Sequence, residues 1–116
     1  MAIFENREKV RIDATTIGGE GFYTRELITP DEAVGPVVER YAVITLEPHA
    51  KMGFHKHEGN FEIYHILKGT GEYNDNGTVV PCKPGDSFKC ADGESHAIAN
   101  TDDEALEFAA LIIKTV

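Results

Sequence analysis

The histidines are the residues in this sequence whose type and spacing could do chemistry. In Gly53-Phe54-His55-Lys56-His57-Glu58-Gly59-Asn60-Phe61-Glu62, two imidazoles stand two residues apart. In a strand, that spacing puts both side chains on one face. Gly59-Asn60 bends the chain, so Glu62 is expected back on an adjacent strand, facing the same interior. Imidazole nitrogens with one carboxylate form a set that divalent first-row transition metals bind well. The pair His55 and His57 alone decides little, because such pairs also occur on ordinary surfaces. A second cluster, Gly93-Glu94-Ser95-His96-Ala97-Ile98-Ala99-Asn100, follows a turn much later in the chain and supplies His96.

The elements that must position these groups are short and punctuated by turns. Gly18-Gly19-Glu20-Gly21 precedes FYTRELI, a run rich in β-branched and aromatic residues. Thr29-Pro30-Asp31-Glu32 reads as a capping box, with Thr29 as N-cap and Pro30 at the first helical position. Gly35-Pro36 stops it, leaving at most a short helical turn near residues 30–34. From Val37 strand follows strand: VVERYAVITLE, FEIYHIL, then GEYND and TVVPC around Asn76-Gly77, a pair suited to a type I′ hairpin turn. SFKC, SHAIA and LEFAALIIKTV complete the series. Many short strands at this spacing predict an all-β sandwich or barrel, and the absence of repeats or linkers predicts one structural domain. Within it, residues 1–36 are expected to form an N-terminal arm and first strand, packed on the barrel or on a partner, and residues 37–116 the barrel.

The last strand carries information about packing. Leu106, Phe108, Ala110 and Ile112 share one face, and Glu107, Ala109, Leu111 and Ile113 the other. Only Glu107 is polar, so both faces are expected to be covered. Either the N-terminal segment folds over the sheet or a second subunit does, and a homodimer is the expectation.

Composition narrows the partners. A chain of 116 residues supports one core, and 11 Lys plus Arg against 20 Asp plus Glu leave a formal charge of −9. That balance repels phosphate backbones and anionic membranes, so neither nucleic acid nor a membrane is expected as a partner. The N-terminal residues hold no apolar run of signal-peptide length, and no apolar stretch is long enough to span a bilayer. Cys82 and Cys90 form no framework of spacings, and two reduced thiols in a cytoplasmic protein are expected.

Both histidine clusters resemble the cupin family. Its first motif runs G, five residues, HxH, three or four residues, E, six residues, G. Here the same intervals connect His49, His55-Lys56-His57, Glu62 and Gly69. The second motif runs G, five residues, PxG, two residues, H, three residues, N, and is matched by Gly85, Ala91-Asp92-Gly93, His96 and Asn100. Every interval fits, with His49 standing for the first Gly and Ala91 for the Pro. By this resemblance the fold is a double-stranded β-helix, the jelly-roll cupin barrel. The implied metal ligands are His55, His57, Glu62 and His96. They would hold one divalent transition metal, and Mn, Fe, Ni, Zn and Cu are not distinguished. If that ion is five- or six-coordinate, one or two positions stay open for water or a small molecule. Tyr64, two residues after Glu62, shares its inward face and is a candidate catalytic proton donor or an ordinary core tyrosine. His65 is expected to face the other way by strand alternation, and His49 to lie in a solvated loop.

Two functions follow from such a site. One is a metal-dependent enzyme acting on a small anionic or polyhydroxylated metabolite, of isomerase, lyase, decarboxylase or dioxygenase type. The other is a non-catalytic module that binds or senses a sugar or carboxylate. The fold hosts both. The complete set of four implied ligands leans toward catalysis, so the enzyme is the first expectation and the binding module the alternative.

Overall fold

A computed structural model of the chain describes residues 3–5 and 8–115. Ten strands are found among them: β1 (Lys9–Asp13), β2 (Phe22–Thr29), β3 (Val38–Leu46), β4 (Lys51–Lys56), β5 (Asn60–Lys68), β6 (Gly71–Asp75), β7 (Thr78–Cys82), β8 (Ser87–Cys90), β9 (Ser95–Ala99) and β10 (Leu106–Lys114). They form two antiparallel sheets, one of six strands in the order β1-β2-β3-β10-β5-β8 and one of four in the order β4-β9-β6-β7. The expected jelly-roll barrel is therefore present. Its core lies between the sheets, where Leu46, Ile66, Tyr73, Ile98, Leu106 and Phe108 are buried.

Alternation along the strands sets the inward face. On β3, Ala42, Ile44 and Leu46 are buried, and on β10 the inward set Leu106, Phe108 and Ala110 pairs with them residue for residue. Asn76 and Gly77 both take positive φ between β6 and β7, as the hairpin signal requires. The outward residues of β10, Ala109, Leu111 and Ile113, are only partly covered. Among the described residues, the N-terminal segment does not fold over them. Instead β1 pairs with β2, and β2 with β3, extending the same sheet edgewise.

Two local expectations need correction. Thr29 does not cap a helix: its backbone ends β2, paired with Tyr41, and the helical turn starts one residue later than a Thr29 cap requires. The turn that follows is a 3₁₀ turn, Asp31–Ala33, entered at Pro30 without a side-chain cap. A second 3₁₀ turn, Ala14–Ile17, went unforeseen although its signals are local. The Asp13 carboxylate accepts from the Thr15 N–H, and Gly18 closes the turn in the left-handed region. This turn presses on β4: a Cβ at Gly53 would collide with the Ile17 carbonyl oxygen, so that position admits only glycine.

The loop from β9 to β10 hangs on one buried amide. Asn100 Nδ2 lies 3.1 Å from the Leu46 and Glu47 carbonyl oxygens and 2.7 Å from that of Glu104. Its Oδ1 accepts from the Asp102 N–H at 3.0 Å. No helix among the described residues is long and apolar enough to cross a membrane. Replacing Asn100 by Ala strips these carbonyls of their donor in a buried place, and a loss of about 2–3 kcal/mol is expected in urea unfolding. An unchanged midpoint would show that the loop is held by other contacts.

Candidate metal centre

The three imidazoles come from the four-stranded side. His55 on β4 pairs directly with His96 on β9, so their side chains are cross-strand neighbours. Between Met52 and His55 the register shifts, because Gly53 and Phe54 together oppose Ala97. This bulge re-aims His55 into the barrel and turns Phe54 outward. His57 lies one residue past the end of β4. The turn after β8 fixes its backbone: the His57 N–H donates to the Glu94 carbonyl at 2.9 Å, and its own carbonyl accepts from Gly93 at 2.7 Å.

Glu62 does not return on a neighbouring strand, as the bend at Gly59-Asn60 suggested. It sits on β5 in the facing sheet, between β10 and β8, and reaches the histidines across the core. The bend carries the chain from one sheet to the other, and its length says nothing about which strand pairs with which.

Four side chains meet there, with one ligand atom of each lying within 4.8 Å of all the others. His96 Nε2 is 3.1 Å from His55 Nε2, 3.1 Å from His57 Nε2 and 3.0 Å from Glu62 Oε1. His57 Nε2 and Glu62 Oε1 are 3.1 Å apart. The other ring nitrogens are all engaged elsewhere. His55 Nδ1 meets the Gly53 carbonyl at 2.7 Å, His57 Nδ1 meets Asn60 Oδ1 at 2.7 Å, and His96 Nδ1 meets the Tyr73 hydroxyl at 2.9 Å. A carbonyl only accepts, so His55 carries its proton on Nδ1. Asn60 points its oxygen at His57 because its amide nitrogen donates to Glu39 at 3.3 Å.

With Nδ1 protonated, His55 and His57 each present an Nε2 lone pair beside the carboxylate. The Tyr73 hydroxyl can donate or accept, so His96 Nε2 can present either a lone pair or an N–H to Glu62. A proton held between His57 and Glu62, or a metal ion, relieves that crowding. Neighbouring donors around a six-coordinate ion with bonds of about 2.1 Å lie about 3 Å apart, as these do. The donor set therefore fits a divalent transition metal, which His55, His57, Glu62 and His96 could hold. The supporting hydrogen bonds are the kind that orient metal-binding histidines.

Electrostatics point the same way. Burial favours the neutral acid of Glu62, but hydrogen bonds from His57 and His96 outweigh it and hold the carboxyl at about 2. The bond to Glu62 raises His57 against its burial, whereas burial lowers His55 despite the Gly53 carbonyl. Cys90 stands opposite Glu62 on β8, and burial with the nearby acidic charges pushes its thiol up to about 11, so it offers no thiolate. Neither Cys82 nor Cys90 is in a disulfide.

Tyr64 is buried and lies against the cluster, its ring stacked on His96 at 4.8 Å between centroids. Its hydroxyl hydrogen-bonds to Glu62, and burial together with the Glu62 charge raises the phenol well above its ordinary value. His65 is exposed, as strand alternation requires. His49 is exposed too, its ring 2.7 Å from Asp103, and it adopts φ 62° where the motif has glycine. Ala91 has an N–H that proline would lack, and Glu94 Oε1 accepts it at 3.0 Å.

Several residues at the site were not singled out from the sequence. Tyr73 and Asn60 hold the histidines, and alternation in GEYND already places Tyr73 inward. A cavity of about 100 Å³ adjoins Glu62 and Tyr64 and is lined also by Tyr23, Arg25, Arg40 and Met52. The signal was a charge inside an apolar alternation: Arg25 between Tyr23 and Leu27, and Arg40 before Ala42 and Ile44.

Comparison with known proteins follows the same line. A family model described as a cupin domain matches residues 42–113. The chain is 45% identical over 96 residues to the oxalate-binding protein of Thermotoga maritima, covering 83% of this chain and 79% of that protein. The crystal structure of a predicted oxalate decarboxylase, also from Thermotoga maritima, superposes with a TM-score of 0.90 at 41% identity over 95% of both chains. A cupin-2 domain from Rhodospirillum rubrum shares the fold, with a TM-score of 0.80 at 16% identity over 100% of this chain and 76% of that one.

The shifts of the two histidines predict an order of titration in metal-free protein. His57 should titrate above the ordinary imidazole value of 6.5 and His55 below it. The raised His57 adds stability that is complete below the unfolded value and is lost as pH rises through its folded value. The lowered His55 acts in reverse, and its contribution disappears as pH falls through its folded value. Titration of the imidazole resonances by NMR checks this, and identical midpoints would contradict it.

Proposed function

The chain belongs to the cupin family, and from that premise we propose that it binds one divalent transition metal and, on it, a small carboxylate of the oxalate class. The observation that carries the reading is the convergence of three Nε2 atoms and one carboxylate at 3.0–3.1 Å with every Nδ1 already engaged. His55, His57, Glu62 and His96 are the proposed ligands. Three neutral imidazoles and one carboxylate leave a 2+ ion near net +1, which favours an anionic ligand in the remaining positions. The ion would supply a Lewis acid that polarises ligand oxygens. The relatives named for oxalate supply the ligand class.

Binding without turnover is the form we favour. The residues lining the cavity include one carboxylate, Glu62, and no imidazole, so the cavity itself offers a ligand no base apart from the proposed metal-binding carboxylate. An enzyme remains the second reading, favoured by Tyr64, whose raised phenol stays protonated at neutral pH and faces both Glu62 and the cavity. Tyr64 would then be the proton donor. In the binding module it serves only to hold the Glu62 carboxylate. We further propose that a second copy of the chain covers the partly exposed Ala109, Leu111 and Ile113 on β10 and the exposed Tyr41 beside them.

Protein purified without an affinity tag is expected to carry close to one equivalent of transition metal per chain. His57→Ala should remove most of it, and affinity should fall as pH drops through about 7 to 6, because a protonated imidazole cannot ligate. Full metal content in the His55→Ala, His57→Ala double variant would refute the ligand assignment. Incubation of the metal-loaded protein with oxalate separates the two forms. The binding module returns oxalate unchanged in air and under nitrogen, whereas the enzyme yields products that Tyr64→Phe suppresses. Light scattering should give the mass of two chains at micromolar concentration, and a single-chain mass would contradict the dimer.

A further inference from the structure

The cavity beside Glu62 has a second charged end. Strand register brings Arg40 and Glu62 onto one row of the six-stranded sheet: Arg40 pairs with Ile112, and Ile112 pairs with Glu62. Their Cα atoms are thus two strands apart, about 10 Å. Arg25 enters from β2, where it pairs with Ile44 and shares the inward face of Tyr23. Both guanidinium groups line the same cavity as Glu62 and Tyr64. In a chain of formal charge −9, this puts two cations on a wall whose only carboxylate belongs to the proposed metal cluster.

The two arginines differ in how far they are already satisfied. Arg40 is gripped by Asp31, with Nη2 to Oδ2 at 2.7 Å and Nε to Oδ1 at 3.3 Å. That fork is occupied and its charge compensated. Arg25 has no ion pair among the described residues. The Asp31 carboxylate feels the Arg25 charge but is bound to Arg40, so beside Ile44 and Ile112 the planar fork of Arg25 is left to match a carboxylate. The room between the arginine end and Glu62 is about 100 Å³, enough for a few waters or a planar ligand of a handful of heavy atoms.

We infer that Arg25 is the residue that selects a dianion: it pairs the far carboxylate of a small dicarboxylate whose near oxygens face the histidine–glutamate cluster. Arg40, fixed by Asp31, forms the adjoining positive wall. The inference rests on the reading that the cluster holds a metal and a small carboxylate. A monocarboxylate reaches only one end and gains nothing from Arg25. Both arginines lie outside residues 42–113, so the selecting end of the cavity is furnished by the preceding part of the chain and not by the matched cupin region.

The test is calorimetric titration of metal-loaded, full-length protein with oxalate, malonate and acetate, beside a metal assay of every variant. Arg25→Gln is expected to keep its metal and its melting temperature and to bind oxalate at least about tenfold more weakly, with acetate changed by less than about threefold. Arg25→Lys should recover part of the loss. An Arg25→Gln variant that keeps its metal and binds oxalate like the wild type would overturn the inference and leave the proposed function standing. Wild-type protein that carries metal but binds none of the three anions would overturn the proposed ligand class as well. The unaltered protein gives an independent check should the variant fold poorly: it must prefer oxalate to acetate at least about tenfold, and equal affinities would refute a second anchoring charge.

Discussion

Three imidazole Nε2 atoms and a carboxylate meet in the interior of a small β-barrel, and lone pairs among them repel unless a proton or a metal ion stands between them. The surrounding structure serves to maintain that arrangement. Each Nδ1 is tied to a partner from a different element: the Gly53 carbonyl in the β4 bulge, the Asn60 amide oxygen at the start of β5, and the Tyr73 hydroxyl on β6. Without them each ring could turn its N–H inward and satisfy the carboxylate with an ordinary hydrogen bond. With them, a proton at His57 or a metal ion are the alternatives, and the two compete for the same lone pair.

The fold delivers these groups from opposite walls. His55 and His96 are neighbours in the four-stranded sheet, and Glu62 comes from the six-stranded one, so the distance between the sheets is part of the geometry of the cluster. That distance is set by aromatic packing. Tyr64 lies between His96 and Phe108, and Tyr73 stacks on Phe88 at 4.2 Å. Close packing of this kind transmits small displacements, so core residues here influence the cluster without touching it.

Much of this was legible in the sequence, for reasons that can be stated. The four residues of the cluster sit at fixed intervals because bulge, bend and turn each have a fixed length, and the strands around Asn76-Gly77 follow from the only residues that suit two successive positive φ values. Glu62 faces the interior as expected but not from an adjacent strand, because a two-residue periodicity reports which face a side chain takes and says nothing about strand pairing. Thr29 resembled a cap because its neighbours fit a capping box, but the β2–β3 ladder had already claimed it. Arg25 and Arg40 went unread because each appears as a surface charge until register shows that Tyr23, Arg25 and Leu27 face the interior. The departures from the motif are also local matters: His49 tolerates φ 62°, and the extra N–H of Ala91 is taken by Glu94.

The central claim is that three imidazoles and one carboxylate surround a single ion. X-ray absorption at the metal edge of the loaded protein tests it most directly. Three imidazole nitrogens and a carboxylate oxygen should appear at about 2.0–2.2 Å, with further oxygen from water or bound carboxylate. Fewer than three imidazoles, or a sulfur neighbour at about 2.3 Å, would contradict it.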